Sequence, residues 1–537
     1  MTNNRPKRPG SRARRAAAIV TAIGVGAALA ACAPSAEGDS APDPAAGASE
    51  RGDELALQFR GAPMSLDPAL QGTASGSIFT VLAYDPLIYK APDGSLQPNL
   101  ATEWEFTSDD MTTFQVTLRE GVTFADGETM DAEAVKASFE YFLEKGGPNL
   151  SSVGPIDSVE VVDDLTVAIH YSEPFSDAPA SLNQLSMMGN VIGPEGLADP
   201  DSLLRSMDGA GQYLYNPDAS VPDSEYVYDR NPDYWNPDAQ MWERVTVQII
   251  SDQNAVLNAA STGQIDFGLG SALMAEAAEG AGLEIASVPF YNWELRLADT
   301  EGEINPALGD ERVREAIGLA IDRETIVEAL GGEYMAVSDQ MVVEGIEGHN
   351  ADIGWEHDPD RARDLLAEAG YEDGFEMKLL DSGLQDPDSR IAQAVSSSLS
   401  EVGIEVDLVV DTVSIPSFIE KAETLEYEAT IWASNGDVGN TYRGYRSTGS
   451  MTNPFGFVDD EMESLYAESL RVAGDDRDAV YQDMSARWQE LAYSIPVLTE
   501  YYVNYIGADV TNINSSPANP VMLPVGPQPE YNWQPTS

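Results

Sequence analysis

Cysteine and histidine are scarce in this chain. Its 537 residues contain one cysteine, Cys32, and three histidines, His170, His349 and His357. A single cysteine excludes a disulfide within the chain, so packing must supply the stability of the fold. His349 and His357 lie in loop-like sequence, eight positions apart, which is not the spacing of a zinc-binding helix. The sequence therefore predicts no metal site and no cofactor.

Basic side chains are also few. The chain has 29 lysines and arginines, only six of which are lysine, against 90 acidic residues, and its net charge is −61. Such an excess of negative charge repels nucleic acids and anionic lipid headgroups, so both are expected to be poor partners. The charge alone does not identify a ligand.

Motifs of common enzyme classes are missing as well. The sequence has neither a phosphate-binding G-x-x-x-x-G-K-[ST] loop nor a G-x-S-x-G nucleophile turn. With 90 carboxylates, a pair of acids says nothing about glycoside hydrolysis. We therefore expect a protein that is not an enzyme, with a lipid-anchored extracellular hydrolase as the alternative.

The one apolar run long enough to be a targeting signal is at the N-terminus. Six basic residues precede it, and it extends over residues 16–31. The small residues before Cys32 are typical of a lipoprotein processing site, so residues 1–31 are predicted to be a signal peptide and Cys32 the lipidated residue. An ordinary signal peptide with a cysteine nearby is the alternative. Cleavage would leave 23 basic and 90 acidic side chains, a net charge of −67.

The rest of the chain divides into a tether and a folded body. Residues 32–52 are rich in Ala, Pro, Ser and Gly without periodicity, which predicts a disordered tether. The body is too long for one hydrophobic core, so two or three domains are expected. Its second half alternates predicted strands and helices, a β-α-β pattern typical of an α/β fold. The predicted strands cover residues 54–60, 114–119, 159–162, 165–171, 226–230, 245–250, 265–269, 376–380, 405–410, 427–432 and 501–506. The predicted helices cover residues 78–84, 131–145, 255–262, 310–329, 359–369, 391–402, 459–472 and 476–493.

A series of short motifs, in order along the body, resembles the family 5 extracellular solute-binding proteins of ABC importers, the oligopeptide-, dipeptide- and nickel-binding type. The motifs are Ser65-Leu66-Asp67-Pro68, Pro98-Asn99-Leu100-Ala101, Leu118-Arg119-Glu120-Gly121-Val122-Thr123-Phe124, Arg230-Asn231-Pro232-Asp233-Tyr234-Trp235, Gly263-Gln264-Ile265-Asp266, Ala320-Ile321-Asp322-Arg323 and Ala367-Glu368-Ala369-Gly370-Tyr371. Two departures are Gln212, where the family often has proline, and Val438, where proline commonly follows the aspartate.

The resemblance implies a two-lobed α/β fold of the type II periplasmic-binding-protein kind, with mixed sheets flanked by helices and a ligand cleft between the lobes. Lobe I would comprise residues 53–298, with an inserted subdomain at about 86–185. Lobe II would comprise residues 299–499, and residues 500–537 would return to lobe I. The implied function is capture of a peptide or similar small solute and its delivery to a membrane permease.

The resemblance also points to a binding segment in the second lobe. In peptide-binding relatives, an aspartate after a Trp-containing strand pairs with the ligand's α-amino group, and Asp437 is the matching candidate, near Trp432 and Asn435. An ammonium removed from water needs a carboxylate and hydrogen bonds to offset its lost hydration. An Asx turn would equally explain the Asn-Gly-Asp sequence.

Further candidates for the site are aromatic, cationic or part of a loop. Aromatic faces are common in small-ligand pockets, and arginine binds carboxylates. For each, packing in the core, a surface salt bridge or a turn is the alternative role. These candidates are Tyr442, Arg443, Arg446, Trp293 and Ser65.

The expected protein is thus an extracytoplasmic, lipid-anchored and monomeric receptor that works with ABC permease subunits. Uptake would be driven by a separate ATPase, since the chain itself has no nucleotide motif. The ligand stays open, because relatives of this shape also bind nickel chelates, sugars and other solutes. A solute sensor without a transport role is a further alternative.

Overall fold

The structure is a computed structural model that describes residues 51–445 and 451–536. Cys32, the signal peptide and nearly all of the predicted tether lie outside these residues, as does Arg446. Among the helices that the structure describes, none is both long and apolar enough to span a membrane.

Strands and helices alternate along the described chain. The strands are β1 (Gly52–Phe59), β2 (Ile88–Lys90), β3 (Leu96–Pro98), β4 (Ala101–Phe106), β5 (Thr113–Leu118), β6 (Ile156–Asp163), β7 (Thr166–Tyr171), β8 (Tyr213–Tyr215), β9 (Glu225–Arg230), β10 (Trp242–Ile249), β11 (Phe267–Leu269), β12 (Glu284–Leu297), β13 (Met335–Val337), β14 (Phe375–Ser382), β15 (Ile404–Asp411), β16 (Ala429–Ser434), β17 (Ser494–Ile506), β18 (Val510–Thr511) and β19 (Gln534–Pro535). The α-helices are α1 (Thr73–Thr80), α2 (Ala132–Lys145), α3 (Pro194–Ala198), α4 (Gln253–Ser261), α5 (Ala275–Gly280), α6 (Glu311–Ala320), α7 (Arg323–Leu330), α8 (Pro359–Glu368), α9 (Arg390–Ser400), α10 (Ile415–Ala422), α11 (Val438–Tyr445), α12 (Asp460–Ser469) and α13 (Asp475–Leu491).

One large mixed sheet runs through the described body. Its strand order is β15-β14-β16-β12-β17-β11-β1-β10-β9-β8, with β13 added on β17. Parallel pairs, such as β14 with β15 and β1 with β10, occur beside antiparallel pairs. A separate antiparallel sheet has the order β4-β5-β7-β6. The predicted α/β fold with mixed sheets flanked by helices is therefore confirmed.

Separate hydrophobic clusters pack on the two halves of the large sheet. We call the cluster around β1, β10 and the C-terminal segment the first core; it includes Leu57, Val247 and Trp533. The cluster around β14, β16 and α6, which includes Leu295 and Leu379, is called the second core. The small sheet and α2 enclose a third cluster. In the strand order, β12 and β17 lie between the strands of the first core and those of the second core.

Several predicted elements agree with the structure because their caps are visible in the sequence. Asp131 caps α2, where its carboxylate accepts the N–H of Ala134 at 2.9 Å, and Gly146 ends the helix in a left-handed conformation. Pro359 occupies the first turn of α8 behind the cap Asp358.

Two predicted helices are wrong in their extent. The single helix predicted over residues 310–329 is two helices, because Ile321 is extended and Asp322 caps α7 by accepting the N–H of Thr325 at 3.0 Å. The helix predicted over residues 78–84 ends at Thr80 instead. The carbonyls of Leu82 and Ala83 accept N–H groups from residues 213 and 211, so they are paired with a neighbouring segment.

Candidate functional site

The central feature of the site is the pair of long strands β12 and β17. They are antiparallel from Glu284 opposite Ile506 to Arg296 opposite Ser494. The register shifts between Pro289 and Tyr291, near the middle of the pair. One end of the pair adjoins β11 and the other adjoins β16, so the two strands cross from the first core to the second. Irregular pairing at this crossing is suited to a hinge.

A cavity of about 390 Å³ lies at this crossing. Its volume is within the range of small-ligand pockets, roughly 300–1,000 Å³. Segments on both sides line it. From the first side come Arg60, Gln253, Gly270–Leu273 and Tyr501–Val503, and from the second come Leu330, Gly331, Met335, Leu384–Asp386, Arg390, Ile391 and Ala433. A ligand here would therefore contact both halves of the sheet.

Two arginines give the cavity positive charge. Arg60 follows β1, and its Nη2 donates to the carbonyl of Gly270 at 3.1 Å. Arg390 opens α9, and within the described residues its guanidinium has neither a hydrogen bond nor an ion pair. Both can bind an anionic group of a ligand, because guanidinium groups donate two hydrogen bonds to a carboxylate in a bidentate manner.

Two acids balance these cations. Glu500 of β17 accepts the indole N–H of Trp293 at 3.0 Å through one oxygen, which leaves its second oxygen for a ligand. Asp386 is already engaged, since it accepts the N–H groups of Arg390, Ile391 and Ala392 at 2.8–3.1 Å. Burial raises the pKa of Asp386, while these N–H groups act in the opposite direction. Glu500 is thus the acid better placed to meet a ligand cation.

Aromatic side chains supply an apolar surface next to these charges. Trp293, one of the candidates from the sequence, lines the cavity and is otherwise buried. Tyr291 also lines the cavity and is 37% exposed. Behind it, Phe290 stacks on Tyr502 with ring centroids 4.8 Å apart.

Trp432 lies on the other face of the sheet. In β16 its neighbour Ala433 pairs with Trp293 and faces the cavity, so alternation turns Trp432 away. Its ring stacks on Phe418 of α10 at 5.1 Å with an angle of 14° between the planes. In this structure Trp432 packs against a helix.

Asp437 and Asn435 lie on the loop between β16 and α11. Asn435 is exposed. One Asp437 oxygen accepts the N–H of Asn440 at 2.7 Å, so the residue begins α11 in the manner of an Asx cap. This is the alternative role raised by the sequence, and the second carboxylate oxygen remains for another partner.

The other candidates in this region are held by protein contacts. Tyr442 is buried, and its hydroxyl donates to Glu463 at 2.9 Å. Arg443 donates to the hydroxyl of Tyr466 at 3.1 Å and to Asp177 at 3.4 Å. Arg446 lies outside the described residues.

Ser65 is part of a turn. Its hydroxyl accepts the N–H of Asp67 at 3.0 Å, and Asp67 in turn accepts the hydroxyl of Tyr141 at 2.6 Å. The structure therefore explains this motif by local hydrogen bonding.

A group of charged residues joins the segment after β7 to the helices of the second half. Asp177 accepts hydrogen bonds from both Arg443 and Arg477. Arg477 also donates to Glu347, with distances of 2.7 and 2.8 Å. Next to this group, the hydroxyl of Ser176 donates to the carbonyl of Ser469 at 2.9 Å. We call the contacts of Asp177 and Ser176 the cross-sheet contact.

The charged residues of the cavity were not predicted from the sequence. Arg60, Arg390 and Glu500 come from three segments far apart in the chain, and none belongs to a recognisable motif. The scarcity of basic residues is the one feature of the sequence that indicates the arginines as candidate ligand contacts.

Comparison with known proteins places this architecture in context. Residues 95–455 match the family model for bacterial extracellular solute-binding proteins, family 5. The glutathione-binding protein GsiB of Salmonella paratyphi A is 27% identical over 317 residues, which cover 57% of this chain. The match spans 60% of the length of GsiB.

Solved structures share the fold over most of the chain. HbpA2 from Haemophilus parasuis has a TM-score of 0.77 at 21% identity and covers 90% of this chain and 100% of its own. DppA from Helicobacter pylori, solved in complex with the peptide STSA, has a TM-score of 0.71 at 21% identity, covering 91% of this chain and 99% of its own. At these identities the likeness shows the fold alone.

Proposed function

Because the chain belongs to the family 5 bacterial extracellular solute-binding proteins, we propose that it is the substrate-binding component of an ABC importer. It captures a peptide or similar small solute and delivers it to permease subunits in the membrane. The observation that carries this proposal is the cavity at the crossing of β12 and β17, because both halves of the sheet line it.

Capture follows from that geometry. Residues 53–298 with 500–537 act as one lobe, residues 86–185 as its inserted subdomain, and residues 299–499 as the other lobe. A solute that contacts both lobes stabilises the closed form and shifts an existing equilibrium between open and closed states. The irregular register near Tyr291 supports a hinge there.

The chemistry of the cavity favours a solute with charges of both signs. Arg60 and Arg390 suit a carboxylate, and Glu500 suits an ammonium group. GsiB is named as a glutathione-binding protein, and DppA was solved with a peptide, which supports a peptide-like ligand. Because the chain matches 60% of GsiB, its substrate is proposed on the cavity chemistry first.

The site of action is outside the cytoplasm, at a membrane. The family is extracellular by description, and Cys32 follows a predicted signal peptide. Lipid on Cys32 anchors the protein, which acts as a monomer and does not bind nucleic acid. When it is exported, a Cys32→Ser variant should be absent from the membrane fraction, whereas the exported wild type should stay bound to the membrane.

A thermal-shift screen tests the function. A ligand that binds only the folded state raises the melting temperature, by an amount that grows with ligand concentration. We expect a shift with peptides and recovery of the intact peptide afterwards. Cleaved peptide in the recovered sample would support the hydrolase alternative instead, and no shift with any peptide would contradict the proposed ligand class.

A further inference from the structure

Two leucines line the cavity and are largely exposed to solvent. Leu273 is 74% exposed and comes from the first side of the cavity, and Leu384 is 51% exposed and comes from the second. A single exposed leucine is ordinary on a protein surface and needs no explanation. These two differ from that case, because they belong to opposite sides of one cavity. Each therefore presents apolar surface to a solute that binds there.

The segment that carries Leu273 is held by backbone hydrogen bonds. The N–H of Gly270 donates to the carbonyl of Val503 at 2.8 Å, which attaches the segment to β17. The carbonyl of Gly270 accepts from Arg60 at 3.1 Å. An apolar side chain on a fixed backbone loses less conformational entropy on binding than one on a free loop, so Leu273 is suited to a contact with ligand.

Leu384 lies in a tight turn that follows β14. The N–H of Gly383, directly before it, donates to the carbonyl of Asp411 at 3.0 Å. The N–H of Gln385, directly after it, donates to the carbonyl of Ser382 at 2.9 Å. The backbone of the turn is thus fixed on both sides of Leu384, while its side chain stays exposed.

Each side of the cavity combines one leucine with one arginine. Arg60 donates to the segment of Leu273, and Arg390 follows Leu384 by six residues and lines the same cavity. The cavity therefore offers cationic and apolar surface from both sides. A solute that uses all of this surface has an apolar group in addition to its charged groups.

The two leucines favour an apolar group over a polar one for a physical reason. Apolar surface that leaves water on binding contributes to affinity in proportion to its area. A polar side chain placed against Leu273 and Leu384 loses hydrogen bonds to water, and the leucines cannot replace them. An apolar side chain has no such cost, and its own surface is buried as well.

We propose that Leu273 and Leu384 form a subsite for an apolar side chain of the solute. The protein then selects peptides with a bulky apolar residue over peptides that have only small or polar residues. This inference rests on the proposed function and deepens it, because it names the kind of side chain that the substrate carries. In the alternative, the two leucines contact each other in the closed form and stabilise it equally with every solute.

The test uses a random tripeptide library. Purified protein is incubated with the library, and the retained peptides are quantified by mass spectrometry. In the wild type, peptides with leucine, isoleucine, methionine or phenylalanine should be enriched by about tenfold or more over peptides of glycine, serine, threonine and asparagine, because burial of one large apolar side chain favours binding by about this factor. Leu273→Ser and Leu384→Ser should each reduce the enrichment by at least about threefold.

Leu425→Ser is the matched control. Leu425 is also 51% exposed, and it is not among the described residues that line the cavity. This variant should retain the same peptides as the wild type. All three substitutions are at exposed positions, so the melting temperature should change by less than about 3 °C. A larger fall in both cavity variants would assign the two leucines a structural role and overturn the proposal.

The remaining outcomes distinguish this inference from the proposed function. Retained peptides without apolar enrichment, or an enrichment that both cavity variants keep, would overturn the apolar subsite and leave peptide capture standing. An equal loss of all peptides in the cavity variants, with unchanged composition, would support the closure alternative and also overturn the subsite. No peptide retained by the wild type would contradict peptide capture itself, and the subsite would fall with it.

Discussion

Two groups of arginines in this protein have opposite surroundings. Arg314 and Arg323, in the second half of the chain, are almost completely buried, and backbone carbonyls accept their hydrogen bonds. Arg60 and Arg390 line the cavity, where Arg60 donates to one carbonyl and the Arg390 guanidinium has no partner among the described residues. In a chain with so few cations, buried arginines that donate to several backbone carbonyls stabilise the fold, although Nη2 of Arg323 has no partner among the described residues. The two arginines of the cavity remain available to a ligand.

The strongest test of this contrast is a matched pair of substitutions. Arg323→Met should lower the free energy of unfolding by about 4 kcal/mol, because the carbonyls of residues 318, 321, 338 and 496 lose their donor. Arg390→Met should change it by less than about 0.5 kcal/mol. Urea unfolding at pH 7 measures both. Equal losses in the two variants would show that the cavity arginine is also structural.

The buried acid Asp85 extends the comparison of buried and cavity charges to the pH dependence of stability. Burial raises the pKa of Asp85 from 3.8 to about 6, although Tyr234 and Trp235 donate to one of its oxygens at 2.8 and 3.0 Å. A raised pKa means that folding favours the protonated form. Protonation of Asp85 therefore contributes up to about 3 kcal/mol to the free energy of unfolding. This contribution is fully present below about pH 4 and is lost as the pH rises through about 6.

Asp85→Asn mimics the protonated acid and can keep both hydrogen bonds. The variant should therefore be more stable than the wild type at pH 8, with a difference that shrinks at pH 5. Urea unfolding at the two pH values measures the change. A difference that is the same at both pH values would refute the assignment of this proton to Asp85.

The cross-sheet contact provides a smaller effect on binding. Asp177→Asn removes the charge that holds Arg443 and Arg477, so the closed form should become less favourable. We expect peptide affinity to fall by about tenfold, measured by calorimetry, with little change in the peptides selected. Unchanged affinity would mean that this contact is equally formed in the open state.

Ser176→Ala gives the smallest expected change. It removes one neutral hydrogen bond of 2.9 Å to the carbonyl of Ser469, next to Asp177. Affinity should fall by about two- to fivefold in the same calorimetric assay. A loss larger than that of Asp177→Asn would reverse the order of the two contacts.

Much of the fold could be predicted from the sequence, because helix-capping residues and the alternation of apolar and polar residues in strands are local signals. Helices α2 and α8 begin at capping aspartates, and β5 shows alternate buried residues. The long strand β12 was missed. It contains Pro289 and two register shifts, and its buried residues include the ion pair between Glu294 and Arg296 at 2.7 Å. Buried charges hide a core strand from a pattern based on hydrophobicity.

The site was harder to predict from the sequence than the fold, because it depends on long-range packing. Trp293 lines the cavity, whereas Trp432 in the neighbouring strand faces the opposite side of the sheet. The binding roles of both residues stay predictions. Arg60, Arg390 and Glu500 come together only through the crossing of β12 and β17. The role of Asp437 stays a prediction.

The most direct test of solute capture between the two halves is a variant that fills the cavity. Ala433 lines it opposite Trp293 in the strand pairing, so Ala433→Trp places a large ring in the space of the ligand. The control Val413→Trp adds the same ring at a position that is 75% exposed. Calorimetry with a peptide retained by the wild type should show no binding to folded Ala433→Trp and normal binding to the control. Normal affinity in folded Ala433→Trp would contradict the account.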